Sequence, residues 1–235
     1  MRTNVIRLPK SYPFLCAMRF IFFISIALMA ACSPVTLVKP LAKKQWAASA
    51  TLGGPLIGFG NAVIPVPYTS LGAAYGLTEH STVTARIHST AALFGVAQLD
   101  AGYLRQLRKQ QKAIPGISIM GQGTFMIDRW KGLARFYPQI DLNAWWDVGS
   151  KGNYCYTGLT SWYELQSNGT GNRKQPSNWI PAWNVGFCRE RSNWSTRLEL
   201  KYLAPFTSHD ALTVDYKSPG ENGALGVFVG FMRKF

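Results

Sequence analysis

Apolar and polar residues alternate along most of the chain from Trp46 onward. In the stretch 81–88, STVTARIH, Val83 and Ile87 lie on one face, and the opposite face carries threonine, arginine and histidine. The same alternation returns in residues 96–105, 194–202 and 224–235. Successive side chains of a β-strand point to opposite faces, so a period of two predicts strands whose two faces meet different surroundings.

Turn-like clusters divide this pattern into about ten strands. Further strands are predicted to begin near Trp46, Ser70, Ile117, Arg135, Tyr154 and Trp179. A hairpin within residues 211–217 would change the number, so roughly eight and roughly twelve strands remain open. No amphipathic helix of useful length follows Trp46. The pattern therefore predicts an all-β fold, an antiparallel up-and-down β-barrel.

The composition of the two faces indicates what surrounds the barrel. The polar face is mostly glycine, alanine, serine, threonine, glutamine and asparagine, with charges in mid-strand. The apolar face ends in aromatic residues, namely Trp46, Tyr75, Tyr103, Trp146, Tyr156, Trp162, Trp179, Trp194 and Tyr202. A soluble barrel would carry lysine, glutamate and aspartate outside. Aromatic girdles around an apolar band are typical of a transmembrane barrel, which must close because lipid cannot satisfy an open sheet edge.

The connections alternate between short and long segments. Short turns are predicted at residues 78–80, 108–115, 149–152 and 190–193, and longer connections at 60–67, 166–177 and 205–223. Outer-membrane barrels have short periplasmic turns and longer extracellular loops. The alternation therefore predicts an N-terminus on the periplasmic side.

The N-terminal region has the features of an export signal. Residues 20–31, FIFFISIALMAA, are apolar except for Ser25 and follow Arg19. Such a run is too short to cross a bilayer as a helix and suits the apolar region of a signal peptide. Because Met18 and Arg19 would themselves begin a compact signal, Met18 is an alternative start.

Ala30 and Ala31 directly before Cys32 resemble the lipobox of bacterial lipoproteins. The resemblance implies that Cys32 becomes the lipidated N-terminus, and Ser33 in place of aspartate implies sorting to the outer membrane. The predicted organisation is a signal peptide at 1–31, a lipidated tether at 32–45 and a barrel domain at 46–235. An ordinary signal peptide with a coincidental cysteine is the alternative.

Phe235 ends an alternating strand and resembles the terminal aromatic residue by which outer-membrane barrels are recognised for assembly. These resemblances imply a protein of the Gram-negative outer membrane. They also imply contact with membrane lipids, with the barrel-assembly and lipoprotein-sorting machinery, and with an envelope protein partner.

Positive charge dominates the chain. Lysine and arginine number 25 against 11 acidic residues, and the first acidic residue is Glu79. No basic helix or aromatic RNA-binding motif supports nucleic-acid binding, so anionic lipid headgroups are the favoured partner. The basic group of Arg105, Arg108, Lys109 and Lys112 either meets headgroups at the periplasmic rim or is a solvated turn.

Charged residues on the polar face predict a network inside the barrel. Arg86 and Asp100 lie on consecutive strands and are expected nearly opposite each other. The predicted network consists of Arg86, His88, Asp100, Asp141, Arg197, Glu199 and Lys201. Either the network lines a selective pore or polar-ligand site, or it plugs the lumen with ion pairs. We expect a plugged lumen, because side chains fill narrow barrels.

Two cysteines remain once Cys16 and Cys32 are assigned to the leader and the lipid. Cys155 and Cys188 flank the 166–177 connection, so we expect both on the inward face of one hairpin. The oxidising envelope favours a disulfide between them, and two buried free thiols are the alternative. The spacing of cysteine and histidine shows no metal site, and no cofactor is expected beyond the lipid.

His88 and Ser89 are the candidates for catalysis. Outer-membrane lipid A deacylases are small barrels with a histidine and a serine near the outer rim, which this pair resembles. Adjacent residues of a strand face opposite sides, so we assign no catalytic residues. The predicted function is a non-enzymatic envelope component with a structural or binding role. A lipid-modifying enzyme, a lipid-tethered soluble barrel carrying an apolar ligand, and a passive pore are the alternatives.

Overall fold

The computed structural model describes residues 35–130, 132–149, 152–165, 178–208 and 216–235. The predicted signal peptide, Met18, Cys16, Cys32 and the 166–177 connection lie outside the described residues, as does most of the predicted hairpin at 211–217. In the described ranges, no helix is long and apolar enough to cross a membrane.

Eleven strands and one short helix form the described structure. The strands are β1 (Trp46–Phe59), β2 (Ala62–Pro65), β3 (Tyr68–Thr78), β4 (Ser81–His88), β5 (Val96–Arg108), β6 (Gly116–Asp128), β7 (Leu133–Val148), β8 (Asn153–Tyr163), β9 (Trp179–Arg191), β10 (Trp194–Ser208) and β11 (Asn222–Lys234). The helix is α1 (Ser89–Leu93).

Ten of these strands make a closed antiparallel barrel, which confirms the predicted fold class. Strands β3 to β11 pair in chain order, β1 pairs with β3, and β11 returns to pair with β1. The closing seam runs from Ala47 opposite Lys234 to Pro55 opposite Gly226. Strand β2 lies outside this wall and folds back on the last residues of β1 as a hairpin.

The two ends of the barrel differ in their connections. At the terminal end, where β1 begins and β11 finishes, the linking residues are 79–80, 109–115, 149–152 and 192–193. The opposite end, called the loop end below, carries the β1–β2 hairpin, α1 and the two longest connections, 164–178 and 209–221. The predicted short turns thus all gather at the terminal end.

Side chains alternate between an apolar outside and a polar inside. On β10, Leu198 and Leu200 are 53 % and 42 % exposed, whereas Glu199 and Lys201 between them are 0 % and 1 % exposed. The exposed apolar belt continues around the wall through residues such as Leu71, Ile87, Leu99, Phe125, Ile140, Leu159, Val185 and Phe231. Two aromatic residues predicted on the apolar face, Tyr156 and Trp162, face inward instead.

Gly53 allows the closing seam to form. Its φ of +136° is a conformation that side-chain-bearing residues rarely adopt, and a Cβ there would lie 2.2 Å from the carbonyl oxygen of Val227. Because that oxygen belongs to the backbone of β11, it cannot move without disturbing the pairing of the two strands.

We expect Gly53→Ala to lower the free energy of unfolding by about 1–3 kcal/mol, the cost of a strained backbone conformation. Urea unfolding in detergent micelles measures the change, and heat-dependent gel mobility reports the folded fraction at each urea concentration. Gly121→Ala is the matched control, since a Cβ at Gly121 meets nothing within 4 Å. Equal unfolding midpoints for the two variants would contradict the role of Gly53.

Candidate functional site in the barrel lumen

A segment of the chain lies inside the barrel. Val35, Thr36, Leu37, Val38 and Leu41 are each 4 % exposed or less, and their contacts are with inward-facing residues of the wall. We call Val35–Leu41 the inner segment. These residues belong to the predicted tether, 32–45, and the part of it from Val35 to Leu41 lies in the lumen.

Apolar contacts hold the inner segment on several sides. Leu37 and Leu41 join a cluster with Ala47, Ala74, Leu104, Met120 and Met232. Val38 packs with Trp145, Tyr154, Tyr156 and Cys188. Val35 contacts Phe228. Full burial of an aliphatic side chain contributes about 1.5–3 kcal/mol, so these four residues give the segment a strong preference for the lumen.

Hydrogen bonds connect the backbone of the inner segment to the wall. The Thr36 amide donates to Glu199 Oε2 at 3.2 Å, and the Leu41 amide donates to Thr82 Oγ1 at 2.9 Å. Ser118 Oγ donates to the carbonyl oxygen of Val38 at 2.7 Å. Since a buried backbone group without a partner is costly, these wall residues make the lumen compatible with a peptide.

The inner segment is anchored at the terminal end. Lys39 forms an ion pair with Asp147, and its ammonium lies 4.3 Å from the centre of the Tyr154 ring. Further along the chain, the Lys44 amide donates to the carbonyl oxygen of Gly76 at 2.8 Å. The Gly76 amide donates in turn to the carbonyl oxygen of Gln45 at 2.9 Å, so the chain is fixed where it enters β1.

Three charged residues follow one another on the inward face of β10. Lys201 Nζ lies 3.0 Å from Glu199 Oε1, and Tyr156 donates its hydroxyl to Glu199 Oε2 at 2.6 Å. Lys201 also approaches Thr36 Oγ1 of the inner segment at 3.5 Å. Arg197 donates to the sulfur of Met232 at 3.6 Å, and among the described residues no carboxylate forms an ion pair with it.

Asp100 organises a second polar group nearer the loop end. His88 Nε2 lies 2.7 Å from Asp100 Oδ2, and Thr124 donates its hydroxyl to Asp100 Oδ1 at 2.9 Å. Arg86 is directly opposite Asp100 in the β4–β5 pairing, with its Nη1 atom 3.9 Å from the carboxylate. On β7, both oxygens of Asp141 accept from Gln139 Nε2, at 2.7 and 2.9 Å.

Several inward-facing polar side chains have no hydrogen-bond partner in the described parts of the chain. The side-chain amides of Asn143 and Asn184 leave both their nitrogen and oxygen atoms unpaired, although both residues are buried. These two residues flank Gly158 across three adjacent strands. The hydroxyls of Ser70 and Ser195 are also unpaired. Buried polar atoms are normally paired, so this lumen holds more polar groups than the protein itself satisfies.

The candidate catalytic pair is not assembled. His88 points into the lumen and contacts Asp100, another member of the predicted polar network. Ser89 begins α1, and its hydroxyl lies 2.6 Å from that of Thr69. The two side chains are therefore engaged with different partners, and neither is placed to pass a proton to the other.

The cysteine prediction is corrected by the strand register. Cys188 pairs with Tyr154, and Cys155 pairs with Phe187, so the two cysteines are offset by one residue across the hairpin. An offset of one places side chains on opposite faces of a sheet. Cys188 is buried in the lumen, Cys155 is exposed outside, and both are free thiols.

Charged and aromatic residues surround the terminal end. The Arg233 guanidinium lies 5.4 Å from the ring centre of Trp194 and 5.1 Å from that of Phe235. The backbone amide of Phe235 donates to the carbonyl oxygen of Trp46. The predicted basic group, Arg105, Arg108, Lys109 and Lys112, is exposed at this end.

No protein-family model and no curated protein matches the chain. Several solved structures have a similar chain course. An outer membrane channel from Pseudomonas putida F1 aligns with a TM-score of 0.49 at 10 % identity, over 87 % of this chain and 100 % of that one. The translocator domain of the autotransporter NalP from Neisseria meningitidis aligns with a TM-score of 0.39 at 10 % identity, over 94 % of this chain and 96 % of that one. The outer membrane protein OprG from Pseudomonas aeruginosa aligns with a TM-score of 0.34 at 10 % identity, over 85 % of this chain and 99 % of that one.

We expect Lys201→Met to lower the free energy of unfolding by about 3–5 kcal/mol, because it leaves the carboxylate of Glu199 buried without its cation. Urea unfolding in detergent micelles measures the loss. The double variant Glu199→Gln with Lys201→Met removes both charges and should recover most of the stability. If the single and double variants unfold at the same urea concentration, the ion pair has no such role.

Proposed function

We propose that this chain is an exported, integral β-barrel of the Gram-negative outer membrane, a non-enzymatic envelope component whose lumen is closed by its own N-terminal segment. The observation that carries this proposal is the distribution of polarity. The wall is apolar and exposed outside, and polar and buried inside. Bulk water would make the exposed belt unfavourable, whereas the hydrocarbon of a bilayer matches it.

The same distribution argues against a lipid-tethered soluble barrel with an apolar ligand. Such a protein would need its apolar faces to point inward around the ligand. Here the inward faces carry Arg86, Asp100, Asp141 and Glu199, and the inner segment bonds to Glu199.

The connections support one orientation in the membrane. We place the terminal end in the periplasm, because outer-membrane barrels have short periplasmic turns and longer outer loops. The exposed basic group of Arg105, Arg108, Lys109 and Lys112 would then face anionic headgroups of the inner leaflet. Contacts with the barrel-assembly machinery, and with an envelope partner at the outer loops, belong to the same proposal.

A lipid on Cys32 remains part of this proposal and has a geometric consequence. Three residues of chain span at most about 10 Å, which limits how far Cys32 can lie from Val35. Val35 packs against Gly230, which precedes the last residue of β11 by roughly 13 Å of strand. The seating of Val35 in the lumen therefore restricts how far Cys32 can lie outside the terminal end, so lipid insertion and plugging constrain each other.

The position of the polar groups supports a non-enzymatic role. A nucleophilic mechanism needs its nucleophile and base within hydrogen-bond reach of each other. His88 faces the lumen, and its imidazole is held by Asp100 inside the wall.

A charge on the outer belt tests membrane insertion. Ile140, in the middle of β7, is 57 % exposed, and we expect Ile140→Arg to lower the free energy of unfolding from lipid vesicles by about 2–4 kcal/mol. Leu93→Arg, on α1 at the loop end, is the matched control and should cost less than about 1 kcal/mol. A soluble barrel would tolerate both substitutions equally, and that result would contradict insertion.

Fractionation separates the barrel from the lipid as the membrane anchor. We expect Cys32→Ser, with a cleavable signal supplied, to remain in the outer-membrane pellet after alkaline carbonate washing and to keep heat-dependent gel mobility. The physical reason is that the apolar belt alone holds the barrel in the bilayer. Release of this variant into the soluble periplasmic fraction would show that the lipid is the anchor.

A further inference from the structure

We propose that the inner segment, Val35–Leu41, is a removable plug, and that its withdrawal opens a water-filled pore for ions and small hydrophilic solutes. This inference rests on the proposed membrane insertion and assigns that barrel a transport activity. It depends on the width of the barrel, the chemistry of its lining and the way the segment is attached.

The width of the barrel leaves room for a pore. Barrels of about eight strands are just filled by their own side chains, and the diameter grows roughly linearly with strand number. This wall has ten strands, and part of its interior is filled by the inner segment instead of by wall residues. Withdrawal would leave a passage about as wide as an extended peptide, which suits small solutes and excludes folded proteins.

The lining that the plug covers is suited to water. The wall residues that bond to the inner segment are Thr82, Ser118, Glu199 and Lys201. Each of these side chains can bond to water in place of the peptide, so the passage would carry hydrated polar sites beside the apolar residues that withdrawal also uncovers, such as Leu104, Met120 and Phe228.

Polar side chains without a protein partner suit the lumen to water. Asn143 and Asn184 have four side-chain atoms without partners among the described residues, and Ser195 adds a hydroxyl. Buried polar atoms that no protein group satisfies are typically bonded to water. These side chains therefore favour a hydrated lumen over a dry one.

The attachment of the segment allows withdrawal through the terminal end. The chain is fixed to the wall at Lys44 and Gln45 through the backbone of Gly76, and a turn closes from Gln45 to the carbonyl oxygen of Ala42. Above that turn, the polar contacts of the segment come from three residues, Thr36, Val38 and Leu41, together with the Lys39 ion pair at the rim. The segment can therefore leave the lumen without breaking any strand pair.

Cys188 is a natural reporter of this movement. Its thiol is buried in the wall and packs in the same cluster as Val38. When the segment leaves, the thiol becomes accessible from the lumen; while it stays, a hydrophilic reagent has no path to it.

The test uses a reversible lock. A Cβ on Gly230 would lie 3.1 Å from Val35 Cβ, close enough for Val35→Cys and Gly230→Cys to form a disulfide with small adjustment. The protein carries these two substitutions with Cys32→Ser and Cys155→Ser, so that Cys188 is the only other thiol beyond the signal peptide. A small charged maleimide, applied in detergent micelles, measures the reactivity of Cys188 with the lock closed. The unlocked counterpart keeps Val35 and Gly230 and is otherwise identical.

We expect Cys188 to react at least tenfold more slowly in the locked protein than in the unlocked one. If Cys188 reacts at the same rate in the locked and unlocked proteins, and both are folded, the proposal of a removable plug is overturned. Because this measurement needs no bilayer, it decides the plug separately from membrane insertion.

Conductance tests the pore itself. Leu37→Asp with Val38→Asp in the locked protein places charges among apolar side chains and favours ejection once the disulfide is reduced. In planar bilayers we expect reduction to raise ionic conductance at least tenfold, whereas the oxidised, locked form should keep its low conductance. A folded, reduced variant whose Cys188 reacts freely but which conducts no more than the oxidised form would overturn the pore, because the wall would then seal itself.

Discussion

Closure of the sheet by the pairing of β1 with β11 is the constraint on which the rest of the structure depends. The seam gives every strand of the wall two neighbours, which a barrel in lipid requires because hydrocarbon offers no hydrogen bonds to an open edge. It also fixes the circumference at ten strands, a width that wall side chains do not fill by themselves. The chain supplies the missing volume from its own N-terminal side, with the inner segment Val35–Leu41.

The polar inside of the wall determines which chemistry the inner segment needs. An apolar outside leaves the polar residues of every strand facing inward, so whatever fills the lumen must meet both hydroxyls and aromatic rings. The inner segment does both, because Val38 packs against Tyr154 while its carbonyl oxygen accepts from Ser118. It does not satisfy everything, and the unpaired amides of Asn143 and Asn184 mark where the wall is better suited to water than to the segment.

Register explains how the buried charges are arranged. Arg86 and Asp100 lie close together because they are direct partners in the β4–β5 pairing. Asp100 also bonds to His88, which lies two residues after Arg86 on β4. Glu199 is shared between Lys201 on its own strand, Tyr156 on the wall and the Thr36 amide of the inner segment. Asp100 and Glu199 therefore each link different strands of the wall, and Glu199 also links the wall to the segment that fills it.

The sequence by itself determined the fold class, the strand positions and the facing of most residues, because alternation with a period of two is a local property that survives without knowledge of the partners. It also placed Arg86 opposite Asp100, since one short connection joins their strands. Only the tertiary structure decided the facing of Cys155, where a register offset of one residue reverses the face and the length of the connection did not fix that offset. Only the tertiary structure likewise placed the inner segment in the lumen. The apolar sequence of Val35–Leu41 was visible, but whether such a segment hangs free or fills a barrel depends on the width of the closed sheet, and no local pattern carries that width.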